Sequence, residues 1–251
     1  MIVIAYLYMG LLGACIGSFL SVLIHRLPRR ESVIEPRSCC PQCGTRLAWY
    51  HLVPVWSYLH LRGRCRACRA PIPHLYLLLE IGTALLFAGL FHVFGWTWEF
   101  VRYAVLVALL IAAAEIDRRH GIIPDRLVVA GAGLGLALVL VRERAFLAEC
   151  VPAAIVSAGI LLLVRIGSHI VWGRAGLGMG DVKLAAMMSL FLGWEGLWVF
   201  YLAVILGGAF GLLGLLTGRL ERTTRLPLAP FVAVGTALHL LLIPPSLVLP
   251  L

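Results

Sequence analysis

Long uncharged stretches alternate with short charged ones along this chain of 251 residues. Four stretches contain no Asp, Glu, Lys or Arg, and they cover residues 1–24, 81–98, 196–218 and 226–251. Each reaches the roughly 18 residues expected of a candidate membrane-spanning helix. Three shorter uncharged runs lie at residues 103–114, 127–141 and 150–164, and they can span when flanking arginines reach the interface or the bilayer thins. The pattern predicts an all-α, polytopic integral membrane protein with about eight transmembrane helices.

The first uncharged run shares only its hydrophobicity with a secretory signal. No basic region precedes it, and it is longer than the apolar core of a signal peptide. It ends at His25 and Arg26 rather than at a small-residue cleavage site. We therefore interpret residues 1–24 as a retained first transmembrane helix with its N-terminus outside.

Composition and charge support a membrane location. Hydrophobic residues make up 61% of the chain and charged residues 13%, against about 25% charged in average globular proteins. The formal net charge is +9, and nine arginines lie between residues 25 and 74. Later arginines gather in alternate loops, at Arg118, Arg119 and Arg126, at Arg165 and Arg174, and at Arg219, Arg222 and Arg225. Cytoplasmic loops carry such an excess, so we expect both termini outside and no nucleic-acid partner.

Glycines recur inside two of the uncharged runs. Gly131, Gly133 and Gly135 lie in one, and Gly207, Gly208, Gly211 and Gly214 lie in the other. Small residues let membrane helices approach closely. We therefore expect these glycines to serve helix packing rather than chemistry.

Residues 25–74 form the one sizeable soluble insertion that the pattern allows. They hold five of the seven cysteines, six prolines and four histidines, and they are too few and too polar for a large core. Two Cys-x-x-Cys pairs, Cys40–Cys43 and Cys65–Cys68, match a tetrahedral zinc site. Cys39 could compete with Cys40, but Cys40 gives the pair that mirrors the second one. Two disulfides are the alternative, which a cytoplasmic loop disfavours. Four thiolates leave no open position, so the expected zinc is structural.

The rarest charged residues lie at the ends of apolar runs. The chain has three aspartates, Asp117, Asp125 and Asp181, and one lysine, Lys183. Asp117 ends one run, whereas Asp181 opens another, directly after Gly178-Met-Gly180. If both ends face the cytoplasm, two carboxylates lie at the same depth on neighbouring helices. Ionisable groups at that depth indicate a functional site.

Two carboxylates in one place can activate water. They cannot both ionise readily, so the pair shares a proton. One carboxylate then takes a proton from water, while the other donates to the oxyanion that develops on a peptide carbonyl. The glycines before Asp181 would let an extended substrate backbone come close, and would keep the helix from beginning before Val182.

Structural roles are the alternative for each of these acids. Asp181 could cap a helix that begins at the next residue, and Asp117 could pair with a neighbouring arginine at the surface. Asp125 follows Ile123-Pro124 and is expected to cap the helix that begins at Arg126.

Several motifs, taken together, resemble one family. They are Gly178-Met-Gly180-Asp181-Val-Lys183, Gly17-Ser-Phe-Leu-Ser-Val-Leu-Ile-His-Arg-Leu-Pro28, the two cysteine pairs with their 21-residue gap, Leu61-Arg-Gly-Arg-Cys-Arg-Ala-Cys68, and Ile116-Asp117 through Ile123-Pro124-Asp125. The first is similar to the Gly-x-Gly-Asp motif of aspartic membrane proteases. The combination covers essentially the whole chain and resembles the bacterial type IV prepilin leader peptidase/N-methyltransferase family. Leu75-Tyr-Leu-Leu-Leu-Glu80 and Ala229-Pro230-Phe231 depart from the family pattern.

The resemblance implies a bifunctional enzyme of the bacterial inner membrane whose active site faces the cytoplasm. Such enzymes remove the leader of type IV prepilins or type II secretion pseudopilins, and many then methylate the new N-terminal residue with S-adenosylmethionine. By position, Asp117 and Asp181 are similar to the catalytic pair, Gly178, Gly180 and Lys183 to its supporting loop, and Cys40, Cys43, Cys65 and Cys68 to the family's four cysteines. The methyl donor is expected near residues 25–74, with no residues assigned to it.

The expected organisation has three parts. Residues 1–24 form the first transmembrane helix, residues 25–74 the cytoplasmic zinc insertion associated with methyl transfer, and residues 75–251 the multispanning aspartic peptidase core. The expected partners are the lipid bilayer and substrates with an N-terminal hydrophobic helix. Nothing in the sequence indicates an oligomeric state.

Other functions fit part of the pattern. A peptidase without methyltransferase activity is one, and a proton- or ion-coupled transporter that uses Asp117, Asp181 and Lys183 is another. A non-catalytic scaffold whose zinc loop binds a partner is a third. A nucleic-acid-binding ribbon lacks the interleaved aromatic residues it would need. If the protein cleaves a peptide and substitution of either aspartate abolishes the cleavage, the enzyme is distinguished from the transporter, the scaffold and the nucleic-acid-binding ribbon.

Overall fold

The computed structural model describes residues 2–35, 38–173, 176–219 and 226–242, and within them every long element is an α-helix. The helices are α1 (Ile2–Arg26), α2 (Trp56–His60), α3 (His74–Phe94), α4 (Trp98–His120), α5 (Asp125–Arg142), α6 (Leu147–Trp172), α7 (Met179–Leu192), α8 (Glu195–Leu216) and α9 (Ala229–Leu242). Two isolated bridges, Cys39–Arg46 and Arg64–Pro71, are the β-pairing found in these residues. The predicted all-α class is therefore confirmed.

Four helical segments are long and apolar enough to cross a membrane: Ile2–Arg29, His74–Phe94, Arg144–Val171 and Glu195–Leu216. The helix α9 is apolar but has 14 residues, as does α7. Both α4 and α5 carry charged residues at their two ends. The expected eight spans are thus not confirmed. Apart from the short α2, every α-helix in the described ranges has at least 14 residues. Some residues used in the predictions lie outside the described part of the chain: residues 243–251, Arg37, Arg174, Arg222 and Arg225.

Proline and glycine set several helix boundaries. Pro73 precedes α3, and Gly95 ends it with a φ of 60°. Proline suits a helix start because its φ is already helical, and glycine suits a helix end because it tolerates the left-handed region. Pro124, not Asp125, is the residue before α5, so the predicted Asp125 cap is wrong. The Asp125 carboxylate instead accepts a hydrogen bond from Lys183.

The chain divides into two compact units, residues 1–100 and 101–251. In the first unit, α1 packs along α3. A Cβ on Gly13 would lie 2.7 Å from the carbonyl oxygen of Thr83, and a Cβ on Gly17 would lie 2.6 Å from that of Leu79. The two backbones therefore touch, as small residues allow in membrane helix pairs.

The second unit is built around the short helix α7, which packs against α5, α6 and α8. Met187 and Phe191 of α7 are almost fully buried. They project onto two glycines of α5: a Cβ on Gly135 would lie 2.7 Å from the Phe191 ring, and one on Gly131 would collide with the Met187 sulfur. The packing role expected for Gly131 and Gly135 is confirmed, whereas Gly133 faces open space.

Replacing Gly17 by Ala should lower the thermal stability of the first unit, because the added methyl group meets the α3 backbone. Overpacking of this kind costs about 1–3 kcal/mol. Gly10→Ala is the matched control on the same helix, since a Cβ there meets nothing within 4 Å. Thermal unfolding of both variants in one detergent measures the difference. A Gly17→Ala variant as stable as Gly10→Ala would contradict the backbone contact.

Candidate active site and cysteine cluster

The cysteines of the two Cys-x-x-Cys pairs meet in the first unit. The Sγ atoms of Cys40, Cys43, Cys65 and Cys68 lie within 4.8 Å of one another, with 3.9 Å between Cys40 and Cys68 and 4.0 Å between Cys43 and Cys65. Four sulfurs around a tetrahedral zinc ion, with Zn–S bonds of about 2.3 Å, are about 3.8 Å apart. A disulfide would require about 2.05 Å. The four thiols could therefore hold a metal ion, and Cys39 lies outside the group.

Both pairs lie in backbone turns of the same design. The Gly44 amide donates to the Cys40 carbonyl at 2.9 Å, and the Arg69 amide donates to the Cys65 carbonyl at 3.0 Å. Gly44 and Arg69 each follow the first cysteine by four residues and have positive φ angles of 70° and 60°. The left-handed turn at Gly44 could be predicted from the sequence, because glycine favours that conformation. The turn at Arg69 could not, because a non-glycine residue in the left-handed region costs about 1–2 kcal/mol and gives no sequence signal.

Hydrogen bonds favour the thiolate at two of the cysteines. Those with the Thr45 hydroxyl, 3.2 Å from Cys43 Sγ, and with the Thr45 amide lower the pKa of Cys43 to about 6. Backbone amides, chiefly that of Cys68, lower the pKa of Cys65. At Cys68 a backbone amide acts in the same direction, but loss of solvent and the neighbouring thiols raise its pKa to about 11. Metal ligands must be deprotonated, so a bound cation has to displace the Cys68 proton.

The two candidate aspartates lie in the second unit, one near the end of α4 and one near the start of α7. Asp117 is 8% exposed, and its Oδ2 accepts a hydrogen bond from the buried Ala229 amide at 3.1 Å. Asp181 Oδ2 accepts a hydrogen bond from the Gly178 amide at 3.1 Å. The two carboxylates are close enough for their charges to repel each other. The fold thus brings together residues that are 64 positions apart in the sequence.

Asp181 stands inside the first turn of α7, because the helix begins at Met179 rather than after the aspartate. The two nearby glycines have separate steric reasons. A Cβ on Gly178 would lie 2.8 Å from Asp181 Oδ2, and a Cβ on Gly180 would lie 3.0 Å from the Ile123 side chain. Gly178 therefore keeps room beside the carboxylate, while Gly180 lets α7 pack on the loop before α5. The alternative prediction, that Asp181 caps a helix, is confirmed to the extent that its carboxylate accepts a hydrogen bond from the Gly178 amide.

Asp117 does not form the surface ion pair with a neighbouring arginine that was the alternative prediction. Arg118 and Arg119 both bind Glu115, at 2.6 and 2.5 Å. Asp117 binds the backbone amide of Ala229, 112 positions away. Sequence reasoning missed this partner, because any residue type except proline supplies a backbone amide. The one available signal was that Ala229 begins a tripeptide comparable with a family motif.

Lys183 has a partner other than the aspartate pair. Its Nζ forms an ion pair with Asp125 Oδ1 at 2.7 Å, and both side chains are substantially exposed. Exposed pairs contribute roughly 0–1 kcal/mol to stability. Lys183 therefore connects the start of α7 to the start of α5, and the structure gives it no hydrogen bond to Asp117 or Asp181.

Two sequence families match the chain. The bacterial Peptidase A24 N-terminal domain matches residues 11–94, and the type IV leader peptidase family matches residues 104–213. The prepilin leader peptidase/N-methyltransferase of Burkholderia pseudomallei is 36% identical over 90% of this chain and 82% of its own length. This chain belongs to the type IV leader peptidase family.

Other relatives of this chain carry the same name. The Bacillus subtilis protein is 35% identical over 90% of both chains. The Myxococcus xanthus protein is 43% identical over 84% of this chain, which spans 64% of that relative's length. No solved structure matches the chain. The family resemblance that the motifs indicated is therefore confirmed by the sequence comparisons.

In the metal-free protein, Cys43 should react with iodoacetamide with a midpoint near the pKa of about 6 that Thr45 gives it, because the thiolate is the nucleophile. Thr45→Val keeps the side-chain shape but removes the hydroxyl and its hydrogen bond with Cys43, so it should move the midpoint to higher pH. Mass spectrometry of alkylated peptides over a pH series measures both. Cys39, outside the cluster, is the internal reference. Identical midpoints in wild type and Thr45→Val would contradict the role of the hydroxyl.

Proposed function

We propose that this leader peptidase removes the leader of type IV prepilins or type II secretion pseudopilins and then methylates the new N-terminal residue. The pair Asp117 and Asp181 carries the peptidase assignment, because the charges of two acids interact at the ends of two helices in one unit. The family and the shared name of its relatives support the substrate class and the second activity.

Peptide hydrolysis at this pair needs no other catalyst. A water oxygen attacks the carbonyl carbon as one carboxylate takes its proton, and the other, protonated carboxyl donates to the carbonyl oxygen. The C–N bond then breaks as the amine nitrogen gains a proton. The Ala229 and Gly178 amides each hold one oxygen of an aspartate. Each acid is thereby oriented before the substrate arrives.

The proposed topology has eight spans, both termini outside and the aspartates at the cytoplasmic face of the bacterial inner membrane. Four segments have the length and composition of spans. In α4, α5 and α7 the charged residues lie near the helix ends, so their apolar middles can cross a bilayer that thins locally. The arginines beside Asp117 favour the cytoplasmic side. The division into residues 1–24, 25–74 and 75–251 accompanies this topology.

The ion-transport alternative explains the aspartates but gives the cysteine cluster no role. The cluster has instead the sulfur separations of a structural zinc site, held by Cys40, Cys43, Cys65 and Cys68. Four thiolates fill the coordination shell, so the metal would shape the insertion without joining peptide cleavage. S-adenosylmethionine, when bound, supplies a methyl group from a positively charged sulfur: an N–C bond forms, the S–C bond breaks, and the amine loses a proton.

Asp117→Asn and Asp181→Asn should each slow leader cleavage by at least about 100-fold, because a positioned acid or base contributes about 10²–10⁴-fold. Mass spectrometry of a prepilin-type peptide, incubated with detergent-purified protein, measures leader loss. Glu115→Gln is the control, since Glu115 lies on the same helix but binds Arg118 and Arg119.

The same incubation, with and without S-adenosylmethionine, tests methylation. One added methyl group that requires both the donor and prior cleavage is the expected result. Cleavage without methylation would reduce the function to a peptidase. No cleavage by folded, metal-loaded wild type, together with an ion flux that both aspartate variants abolish, would favour the transporter.

Cys65→Ser should abolish stoichiometric zinc binding and lower the unfolding temperature of the first unit, because three thiolates and a weak oxygen ligand replace four thiolates. Elemental analysis of the purified protein measures the metal. Cys15→Ser is the control, because Cys15 is exposed on α1 and outside the cluster. Full zinc content in Cys65→Ser would contradict a four-cysteine site.

A further inference from the structure

A cavity of about 860 Å³ lies in the first unit, among α1, α3 and the turns that hold the cysteine cluster. Small-molecule pockets typically measure about 300–1,000 Å³. One face of α1 lines the cavity, through Ser18, Ser21 and His25, since residues three and four apart share a helix face. Tyr50 of the insertion and Glu80 of α3 line it as well. Peptide cleavage leaves this cavity without a role, because the aspartate pair belongs to the other unit.

Glu80 is the most informative group in the cavity wall. It is 7% exposed, and none of the ion pairs formed by the described residues includes it. Its Oε2 accepts a hydrogen bond from the Val55 amide at 2.7 Å. A buried carboxylate without a cationic partner is energetically costly. Such a group, placed in the wall of a ligand-sized cavity, is suited to bind a positively charged ligand.

The partner of Glu80 is itself strained. Val55 has a φ of 62° and a ψ of −52°, a conformation that a β-branched residue adopts rarely. Strain of this kind costs about 1–3 kcal/mol and concentrates at binding and catalytic sites. The hydrogen bond to Glu80 holds the strained amide in place. The insertion is thus fixed to α3 at the very residue that faces the cavity.

Basic residues line the same cavity further along α1. Gly17 touches the Glu80 backbone, which places Glu80 beside that part of the helix. His25, Arg26 and Arg29 line the cavity toward the end of α1. His25 is two turns from Gly17, about 12 Å at 1.5 Å per residue, a separation that long side chains can shorten. The cavity wall therefore carries the acids Glu80 and Glu31 together with basic side chains from the end of α1.

We propose that this cavity binds S-adenosylmethionine, with Glu80 accepting hydrogen bonds from the ammonium group of its methionine portion. The assignment rests on the proposed methyltransferase function and adds the donor site to it. An ammonium group offers three donors to a carboxylate, and charge-assisted bonds of this kind are the strong ones. Tyr50, near the cysteine turns, offers a ring for the purine.

The site combines membrane helices with the soluble insertion. Ser18, Ser21 and Glu80 lie in α1 and α3, outside the 25–74 segment that carries the cysteines. The methionine end of the donor would lie between the two helices, and the adenosine would lie against the insertion. The absence of a glycine-rich nucleotide loop in the sequence is consistent with this arrangement, because side chains of two helices replace the backbone cradle.

Calorimetry with two probes in detergent tests the role of Glu80. S-adenosylhomocysteine keeps the ammonium group, whereas 5′-methylthioadenosine lacks the whole amino-acid portion. Glu80→Gln preserves shape and the bond to the Val55 amide but removes the charge. It should weaken S-adenosylhomocysteine binding by about 10-fold or more and leave 5′-methylthioadenosine binding unchanged. Glu99→Gln, the same substitution at the start of α4, should change neither affinity.

The outcomes are separable. Unchanged S-adenosylhomocysteine binding in Glu80→Gln overturns the site, and so does an equal loss of both probes in a variant that retains its zinc and its unfolding temperature. Wild-type protein that binds neither probe would instead overturn the methyltransferase function itself. In that case leader cleavage by the aspartates stands independently.

A second pair of variants tests the cavity without touching Glu80. Ser18→Phe places a ring in the cavity, and Cys15→Phe places the same ring on the exposed face of α1. Ser18→Phe should weaken the binding of both probes, whereas the Cys15→Phe variant should bind them with wild-type affinity. Photocrosslinking of labelled S-adenosylmethionine should label peptides of residues 2–100. A label confined to peptides of residues 101–242 would place the donor elsewhere and overturn the proposal.

Discussion

A polar group among apolar helices needs a partner, and this constraint organises the structure. Most backbone groups are satisfied by forming helices, and the non-helical segments of the described chain lie in the insertion and in short loops. Side chains obey the same rule. Ser157 and Ser189 bind each other at 2.9 Å between α6 and α7, where both are fully buried. The buried Arg102 forms an ion pair with Glu143 at 3.0 Å, although its Nε atom has no hydrogen-bond partner among the described residues. The serine bond fixes the register of α6 and α7, so these polar groups help to specify which apolar surfaces meet.

The same constraint builds the aspartate pair. Helix N-termini have amides without intrahelical partners, and they stabilise negative charge. Ala229 is the first residue of α9, and Gly178 immediately precedes α7. Each amide takes one aspartate oxygen. Two helix starts thus supply amide donors to the two acids. If the two acids share a proton, as proposed, they can exchange it with water.

How far the sequence predicts this structure depends on which atoms carry each interaction. Cysteine spacing predicted the four-sulfur cluster, because the ligand is the side chain itself and its repeat is visible. Asp117 and Asp181 stood out because charge is rare in this chain. The Ala229 amide, the Asp125–Lys183 pair and the left-handed Arg69 were not readable, since backbone donors and tertiary pairings leave no residue-type signal. The predicted eight spans are not confirmed, because charges near the ends of α4 and α5 shorten their apolar windows without ending the helices.

The insertion shows why the cysteine cluster bears on one proposed activity more than on the other. Cys40 and Cys65 are buried and line the cavity with Glu80, so the turns that could hold a metal also form a wall of the proposed donor site. A metal ion bound there would join the two turns at a common centre. A segment of this size has little apolar core to compensate for loss of the metal. The aspartates, by contrast, are held by amides and helices of the second unit. Loss of metal should therefore act first on donor binding and methylation, and cleavage should depend on the insertion only through the substrate.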